Sequence, residues 1–144
     1  MDALDLTKQP PRGPRERLPG LDLVMAARTV DKLRATLPGG NLGEYQITGF
    51  SSSLLNALEI GEAGLRAEIA RAASDEAVAT WIREHSDPAR YPEINAKFEG
   101  FKIADRLNDP SFVERYPLAR SLPPDASRLD LLVADDAAAF KKDE

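Results

Sequence analysis

The stretch LDLVMAARTVDKLRATL, residues 21–37, decides the fold. Its apolar residues recur at steps of three and four, which places them on one face of an α-helix. These residues are Leu23, Ala26, Val30, Leu33 and Leu37. Pro38-Gly39-Gly40 follows and ends the helix. Because the opposite face also carries apolar residues between its charges, including Val24 and Ala35, we expect this helix to be covered on both sides.

Five further segments have helical patterns and, with the first, predict an all-α fold. They are residues 54–60, 62–73, 75–85, 91–107 and 111–116. Serines precede two of them and are predicted to cap those helices, Ser51–Ser53 for the first and Ser74 for the third. Residues 91–107 carry two apolar stripes, and Gly100 in the second stripe predicts a close approach of another helix. We therefore expect a single compact helical domain of about five to six helices.

The first twenty residues differ from the rest in their proline content. Four of the eleven prolines lie there, and proline is excluded from helix interiors and central strands. Residues 1–20 are therefore predicted to form an extended, proline-rich arm that packs on the body through its leucines. The helical domain would then run over residues 21–144, and its last ten residues are expected to fray.

Composition excludes several classes of protein. The chain of 144 residues has 19 basic and 24 acidic residues, a formal net charge of −5, whereas binding to phosphate backbones calls for a basic surface. There is no cysteine and a single histidine, so no cofactor and no metal site is expected. The sequence has no long apolar run and no pattern of a signal peptide. We expect a cytoplasmic protein that binds neither nucleic acid nor membrane.

Cationic side chains form the main candidate site. Arg28, Asp31 and Lys32 share one face of the first helix because residues three or four apart are neighbours. On an extended proline-rich chain, side chains three residues apart project to the same side, which applies to Arg12 and Arg15. The planar guanidinium group matches carboxylates and phosphates. This pattern predicts a binding site for a small anion, and a surface ion pair between Arg28 and Asp31 is the structural alternative.

Glu44 and Tyr45 follow a glycine-rich turn and are placed at the rim of this site. A carboxylate and a phenol can also serve as acid and base when they lie within hydrogen-bond reach of a substrate, but the sequence identifies no catalytic residue. His85, the single histidine, follows Trp81 by one helical turn near a helix C-terminus. A positive ring there complements the helix dipole, so its role is predicted to be structural.

Three motifs resemble a known family. They are Pro11-Arg12-Gly13-Pro14-Arg15-Glu16, Ala27-Arg28-Thr29-Val30-Asp31-Lys32-Leu33-Arg34-Ala35 and Gly43-Glu44-Tyr45. In these the chain resembles a small bacterial family known as domain of unknown function number five thousand and sixty-nine, which has no assigned activity. The resemblance implies that the arm and the first helix form one feature. Gly13 stands where a serine is expected, which removes a hydroxyl group from the site.

Three functions follow from these patterns. The first is a protein that binds a small anionic ligand at the arginine and lysine cluster. The second is a protein-interaction or homo-oligomerisation module without catalysis, in which helix 91–107 supplies an interface and the partner is a second copy in a homodimer. The third is an enzyme that acts on an anionic substrate in the same pocket.

Overall fold

The computed structural model of the protein describes residues 1–140, and within them the prediction of an all-α fold is confirmed. The α-helices are α1 Ala26–Ala35, α2 Phe50–Leu58, α3 Glu62–Arg71, α4 Asp75–Glu84, α5 Tyr91–Glu99, α6 Pro110–Arg115 and α7 Arg128–Ala139. Short 3-10 helices occupy Pro88–Arg90, Ile103–Arg106 and Pro117–Ser121. The described residues thus hold seven α-helices and no strand, one helix more than expected. Each of these helices is too short or too polar to cross a lipid bilayer.

The chain divides into two compact units, one from Met1 to Ile94 and one from Asn95 onward. In the first unit, α1 is the central element. Nine of its ten residues are buried, which confirms the prediction that it is covered on both sides. The helix begins at Ala26 and not at residue 21, because Met25 has a left-handed backbone with φ of 69°. A left-handed residue cannot continue a right-handed helix.

The start of α2 differs from its prediction. The helix begins at Phe50, so the serines lie inside its first turn, and the residue before it is Gly49. Ser51 does not cap the helix; it is fully buried and accepts a hydrogen bond from the hydroxyl of Thr29 at 2.9 Å. The helix ends at Leu58, and the next residue, Glu59, has a left-handed backbone with φ of 58°.

Helices α3 and α4 follow the sequence prediction more closely. The Ser74 hydroxyl accepts a hydrogen bond from the amide of Ala77 at 3.2 Å, which confirms the predicted cap of α4. His85 terminates α4, and its ring stacks on Trp81 with the ring centres 4.0 Å apart. A ring nitrogen of His85, Nδ1, lies 2.7 Å from the carbonyl oxygen of Trp81. This geometry accords with the structural role expected for the histidine.

Residues 1–20 contain no helix and contact the first unit at several points. Leu6 and Leu18 are buried. The amide of Leu4 donates to the carbonyl of Arg34, and the amide of Asn41 donates to the carbonyl of Leu4. These contacts fix the N-terminal residues beside the C-terminal end of α1. That residues 1–20 form a separate, extended arm stays a prediction.

In the second unit, helix 91–107 was predicted too long, because α5 ends at Glu99. Gly100 follows the helix and is exposed. A Cβ atom placed on Gly100 would lie 3.2 Å from the carbonyl oxygen of Ala96, in the same turn of chain. The expectation that Gly100 marks a close approach of another helix is therefore wrong. Glycine instead ends α5, since its helix propensity is low.

A small core holds the second unit together. Ile103, Ala119 and Leu131 are its fully buried members. Helix α7 closes this core, and its first turn is capped by the Ser127 hydroxyl, which accepts from the amide of Leu129 at 3.1 Å. The helix continues to Ala139, into the ten residues that were predicted to fray, and residues 141–144 of that predicted tail lie outside the described residues.

Candidate functional site

Arg12 forms the most extensive polar contact of the predicted site. Its Nε and Nη2 donate to the carboxylate of Asp31 at 3.1 and 2.9 Å, and its own backbone amide donates to the same carboxylate at 2.7 Å. On the other edge of the guanidinium, Nη1 and Nη2 donate to Asp75 in the first turn of α4, at 2.8 and 3.2 Å. Arg12 therefore joins the N-terminal residues to α1 and to α4.

These contacts stabilise the charged form of Arg12. Burial by itself would lower the pKa of the guanidinium, but its hydrogen bonds to Asp75 and Asp31 outweigh the effect of burial and raise the pKa above its ordinary value. The planar fork of Arg12 is occupied by these two carboxylates. A side chain in this state positions its neighbours and has little capacity left to bind an anion from solution.

Arg28 and Lys32 have a different environment. They lie one turn apart on α1, with only 2% and 8% of their surfaces exposed. Both face the ring of Tyr45: the Arg28 guanidinium carbon lies 5.6 Å and Lys32 Nζ 5.9 Å from the ring centre. These distances fit cation–π contacts, in which a cation lies over the electron-rich face of the ring.

Backbone oxygens are among the contacts of the two cations. Lys32 Nζ donates to the carbonyl of Gln46 at 2.9 Å, and Arg28 Nη1 donates to the carbonyl of Arg12 at 3.3 Å. Two positive charges are thus held close together inside the first unit.

The remaining predicted residues lie at the surface. Arg15 is exposed, and its carbonyl accepts a hydrogen bond from Arg17 Nη1 at 2.6 Å. Glu44 is exposed as well, directly before Tyr45. The site therefore divides into a pair of carboxylates, Asp31 and Asp75, around Arg12, and a pair of buried cations under Tyr45, with Arg15 and Glu44 exposed.

Sequence reasoning missed two participants, Asp75 and the backbone of Gln46. Asp75 contacts Arg12 from 63 residues away, a separation without any local pattern. Gln46 takes part through its backbone carbonyl. Because every residue has such a carbonyl, the sequence carries no signal for this contact. Arg34 approaches Asp31 at 4.0 Å on the same helix. This ion pair has the spacing of three residues that brings side chains together on one face of a helix.

A separate cavity of about 390 Å³ lies in the first unit, away from all the predicted site residues. Its lining includes four charged residues, Glu59, Glu84, Asp87 and Arg90. His85 also borders it. Residues 1–140 hold no group of three or more His, Asp or Glu side chains that could bind a metal ion.

The family described as Domain of unknown function (DUF5069) matches the chain over residues 8–122. The match includes the Arg12 contacts, all of α1 and Tyr45, and it extends into the second unit. No curated protein matches the chain.

Proposed function

The chain belongs to the family DUF5069, and we propose that this member binds a small anion between Arg28 and Lys32. One observation carries the proposal: two cationic side chains are buried one helical turn apart under a single aromatic ring. Both side chains are cationic hydrogen-bond donors, and charge-assisted hydrogen bonds to an oxyanion are stronger than neutral ones. An oxyanion that accepts from both side chains binds the folded protein preferentially and stabilises it.

The other residues support the two cations in this proposal. Arg12 is saturated by Asp31 and Asp75, so it holds the backbone against which Arg28 is placed. Asp31 belongs to this support and does not contact the anion. Tyr45 covers the cations, while Glu44 and Arg15 lie at the exposed rim, where they influence the approach of a charged ligand.

Thermal unfolding in the presence of anions tests the proposal. Phosphate, sulfate and small carboxylates are compared with chloride at matched ionic strength, because general salt effects then cancel. At a concentration about a hundred times its dissociation constant, a bound anion contributes about 2.7 kcal/mol and raises the melting temperature by several degrees. The test variant is Lys32→Met, which removes the charge and keeps an unbranched apolar stem of similar length.

Arg71→Gln is the matched control. Arg71 is an exposed residue of α3 whose ion pair is with Glu68, so its replacement removes one positive charge from the same unit. We expect the melting temperature of this variant to rise with phosphate as in the parent, and that of Lys32→Met to stay unchanged. An equal rise in all three proteins, or no rise in the parent, contradicts the proposal.

Other predictions made from the sequence are proposed together with anion binding, and each has its own test. An enzyme acting on an anionic substrate would use the same two cations, and release of a product from candidate esters and phosphates tests for it. The homodimer is tested by light scattering, and the cytoplasmic location in a bacterial cell by fractionation. The absence of nucleic-acid binding, inferred from the net charge of −5, is checked by gel shift at low salt.

A further inference from the structure

The cavity of about 390 Å³ in the first unit shares no lining residue with the proposed anion site. It lies where α2 and α4 end and α5 begins, because its lining includes the last two residues of α2, the last residue of α4 and Ile94 of α5. Pockets that bind small molecules typically measure about 300–1,000 Å³, so the cavity is large enough for a small ligand.

The lining combines apolar and charged side chains. Leu58 and Ile94 have only 6% and 4% of their surfaces exposed and supply apolar contact area. The charged lining residues are all exposed, and carboxylates outnumber the single guanidinium: they are Glu59, Glu84, Asp87 and Arg90. Negative charge therefore prevails in the cavity, with one strong positive group among the carboxylates.

The opposite charges of the cavity do not neutralise each other. Among residues 1–140, none of the three carboxylates forms an ion pair, and the guanidinium of Arg90 donates only to the carbonyl of Ala57, at 3.2 Å. Asp87 uses one carboxylate oxygen to accept from the amide of Ala89 at 3.1 Å. A ligand that carries both an ammonium group and a carboxylate can contact both kinds of side chain.

The ends of two helices add to the negative potential of the cavity. Helix α2 ends at Leu58 and α4 ends at Glu84, and both residues line it. The last carbonyl groups of a helix lack partners within the helix and carry a partial negative charge, which favours cations there. Arg90 already uses this effect, since the carbonyl it contacts belongs to the last turn of α2. An ammonium group is favoured here by the carboxylates and by both helix dipoles.

Hydrogen bonds fix the turn that follows α4. Ser86 Oγ donates to the carbonyl of Ile82 at 2.5 Å and lies 2.6 Å from the hydroxyl of Tyr91. The amide of Arg90 donates to the carbonyl of Asp87 at 3.0 Å. A backbone that is fixed before binding reduces the entropy lost when a ligand binds.

We propose that this cavity binds a small aliphatic amino acid with a cationic side chain, the class to which lysine belongs. Its ammonium groups contact the carboxylates at the ends of α2 and α4, those of Glu59 and Glu84. Its carboxylate contacts the guanidinium of Arg90, whose planar fork matches that group. Its methylene stem lies on Leu58 and Ile94. A diamine lacks the group that matches Arg90, and an alkyl carboxylate lacks the groups that match the acidic residues.

The single histidine of the chain reports binding at this cavity. His85 lines the cavity, and as the only histidine it gives one set of ring signals in a proton–carbon NMR spectrum of the untagged protein. Free lysine is titrated at constant pH and ionic strength, with cadaverine, which has no carboxylate, and hexanoate, which has no amino group, as comparison probes. We expect saturable shifts with lysine at an affinity at least about tenfold above that of either comparison probe, since each lacks a charge-assisted hydrogen bond.

Three variants remove the charged contacts one at a time. Arg90→Gln should abolish the preference for lysine over cadaverine, and Glu84→Gln should lower the affinity for lysine about tenfold. Glu59→Gly should weaken binding similarly while relieving the left-handed backbone of residue 59, so an undiminished melting temperature separates lost binding from lost folding. Arg71→Gln and Glu76→Gln are the matched controls, because both residues are exposed and lie outside the lining.

The outcomes decide the proposal in either direction. Saturable binding of lysine that is weaker in all three folded variants and unchanged in both controls supports it. The absence of a saturable shift of the His85 signals would overturn it. Cadaverine or hexanoate binding as tightly as lysine, or equal affinity for lysine in variants and controls, would also overturn it.

Discussion

Arg12 directs three nitrogen atoms at the carboxylate of Asp31: its backbone amide, Nε and Nη2. This arrangement uses both the main chain and the side chain of one residue to satisfy a carboxylate whose side chain is only 6% exposed. A buried carboxylate would be costly without such donors. The N-terminal residues are thus part of what allows α1 to carry an acidic side chain in the interior of the unit.

Replacing Arg12 by lysine tests this relationship. Lysine keeps the charge but lacks the planar fork that contacts Asp31 and Asp75 together. We expect Arg12→Lys to lower the free energy of unfolding by about 1–3 kcal/mol, a range reduced from that of fully buried pairs because the Arg12 side chain is partly exposed. Urea denaturation of parent and variant measures the difference. Arg17→Lys is the control, because Arg17 pairs with the exposed Asp22; an equal loss in both variants would contradict the special role of Arg12.

The hydroxyls of Thr29 and Ser51 form a buried contact that a double-mutant cycle can resolve. Each single variant, Thr29→Val or Ser51→Ala, leaves one buried hydroxyl without its present partner and should cost about 1–3 kcal/mol. The double variant removes both groups and should cost less than the sum of the two single losses. Thermal or urea unfolding of the four proteins gives the coupling energy. Strict additivity would mean that the two hydroxyls do not stabilise each other.

Glu59 ends α2 in a left-handed conformation that glycine adopts more readily. Its side chain is exposed, so little packing is lost on replacement. We expect Glu59→Gly to raise the free energy of unfolding by about 0.5–1 kcal/mol through relief of backbone strain. Glu59→Ala removes the same side chain without relieving strain and should bring no such gain. Unfolding curves that rank alanine above glycine would refute this account.

Asp109 makes the stability of the second unit dependent on pH. The hydrogen bond from Arg106 lowers the pKa of Asp109 below its ordinary value of 3.8, and backbone amides of Ser111 and Phe112 act in the same direction. Because the folded pKa lies below the unfolded one, the contribution of Asp109 is present above about pH 3.8 and is lost as the pH falls through the folded pKa. Carbon-13 NMR titration should show the depressed midpoint. In Arg106→Gln the midpoint should move upward, and an unmoved midpoint would reject Arg106 as the main cause.

The sequence predicted helices best where periodicity alone decides them. The apolar residues on both faces of α1 correctly indicated a covered helix, because a helix that is apolar on both faces is typically buried on both. It could not indicate the start at Ala26, since the left-handed conformation of Met25 is imposed by surrounding contacts and methionine carries no signal for it. Helix α7 was missed although Ser127 and Asp130 offered the signature of a helix start; the alanine-rich, acidic residues that follow were interpreted as a frayed tail.

Prediction of the candidate site succeeded only for local relationships. Arg28 and Lys32 were grouped because helical spacing puts them on one face, and the structure brings Tyr45 to both. The partner of Arg12 on α4, Asp75, depends on how α4 packs, and no pattern in a single sequence encodes that contact.

The covered helix α1 has a consequence for mutagenesis and sequence design. In an ordinary surface helix, polar positions accept most replacements, and a designer can vary them freely. In α1 the polar residues Arg28, Thr29, Asp31 and Lys32 are as deeply enclosed as the aliphatic ones, and each is matched to a particular group. A saturation scan of residues 26–35 should therefore find these polar positions about as intolerant as Val30 and Leu33, and hydropathy would give a designer no guide to which positions are free.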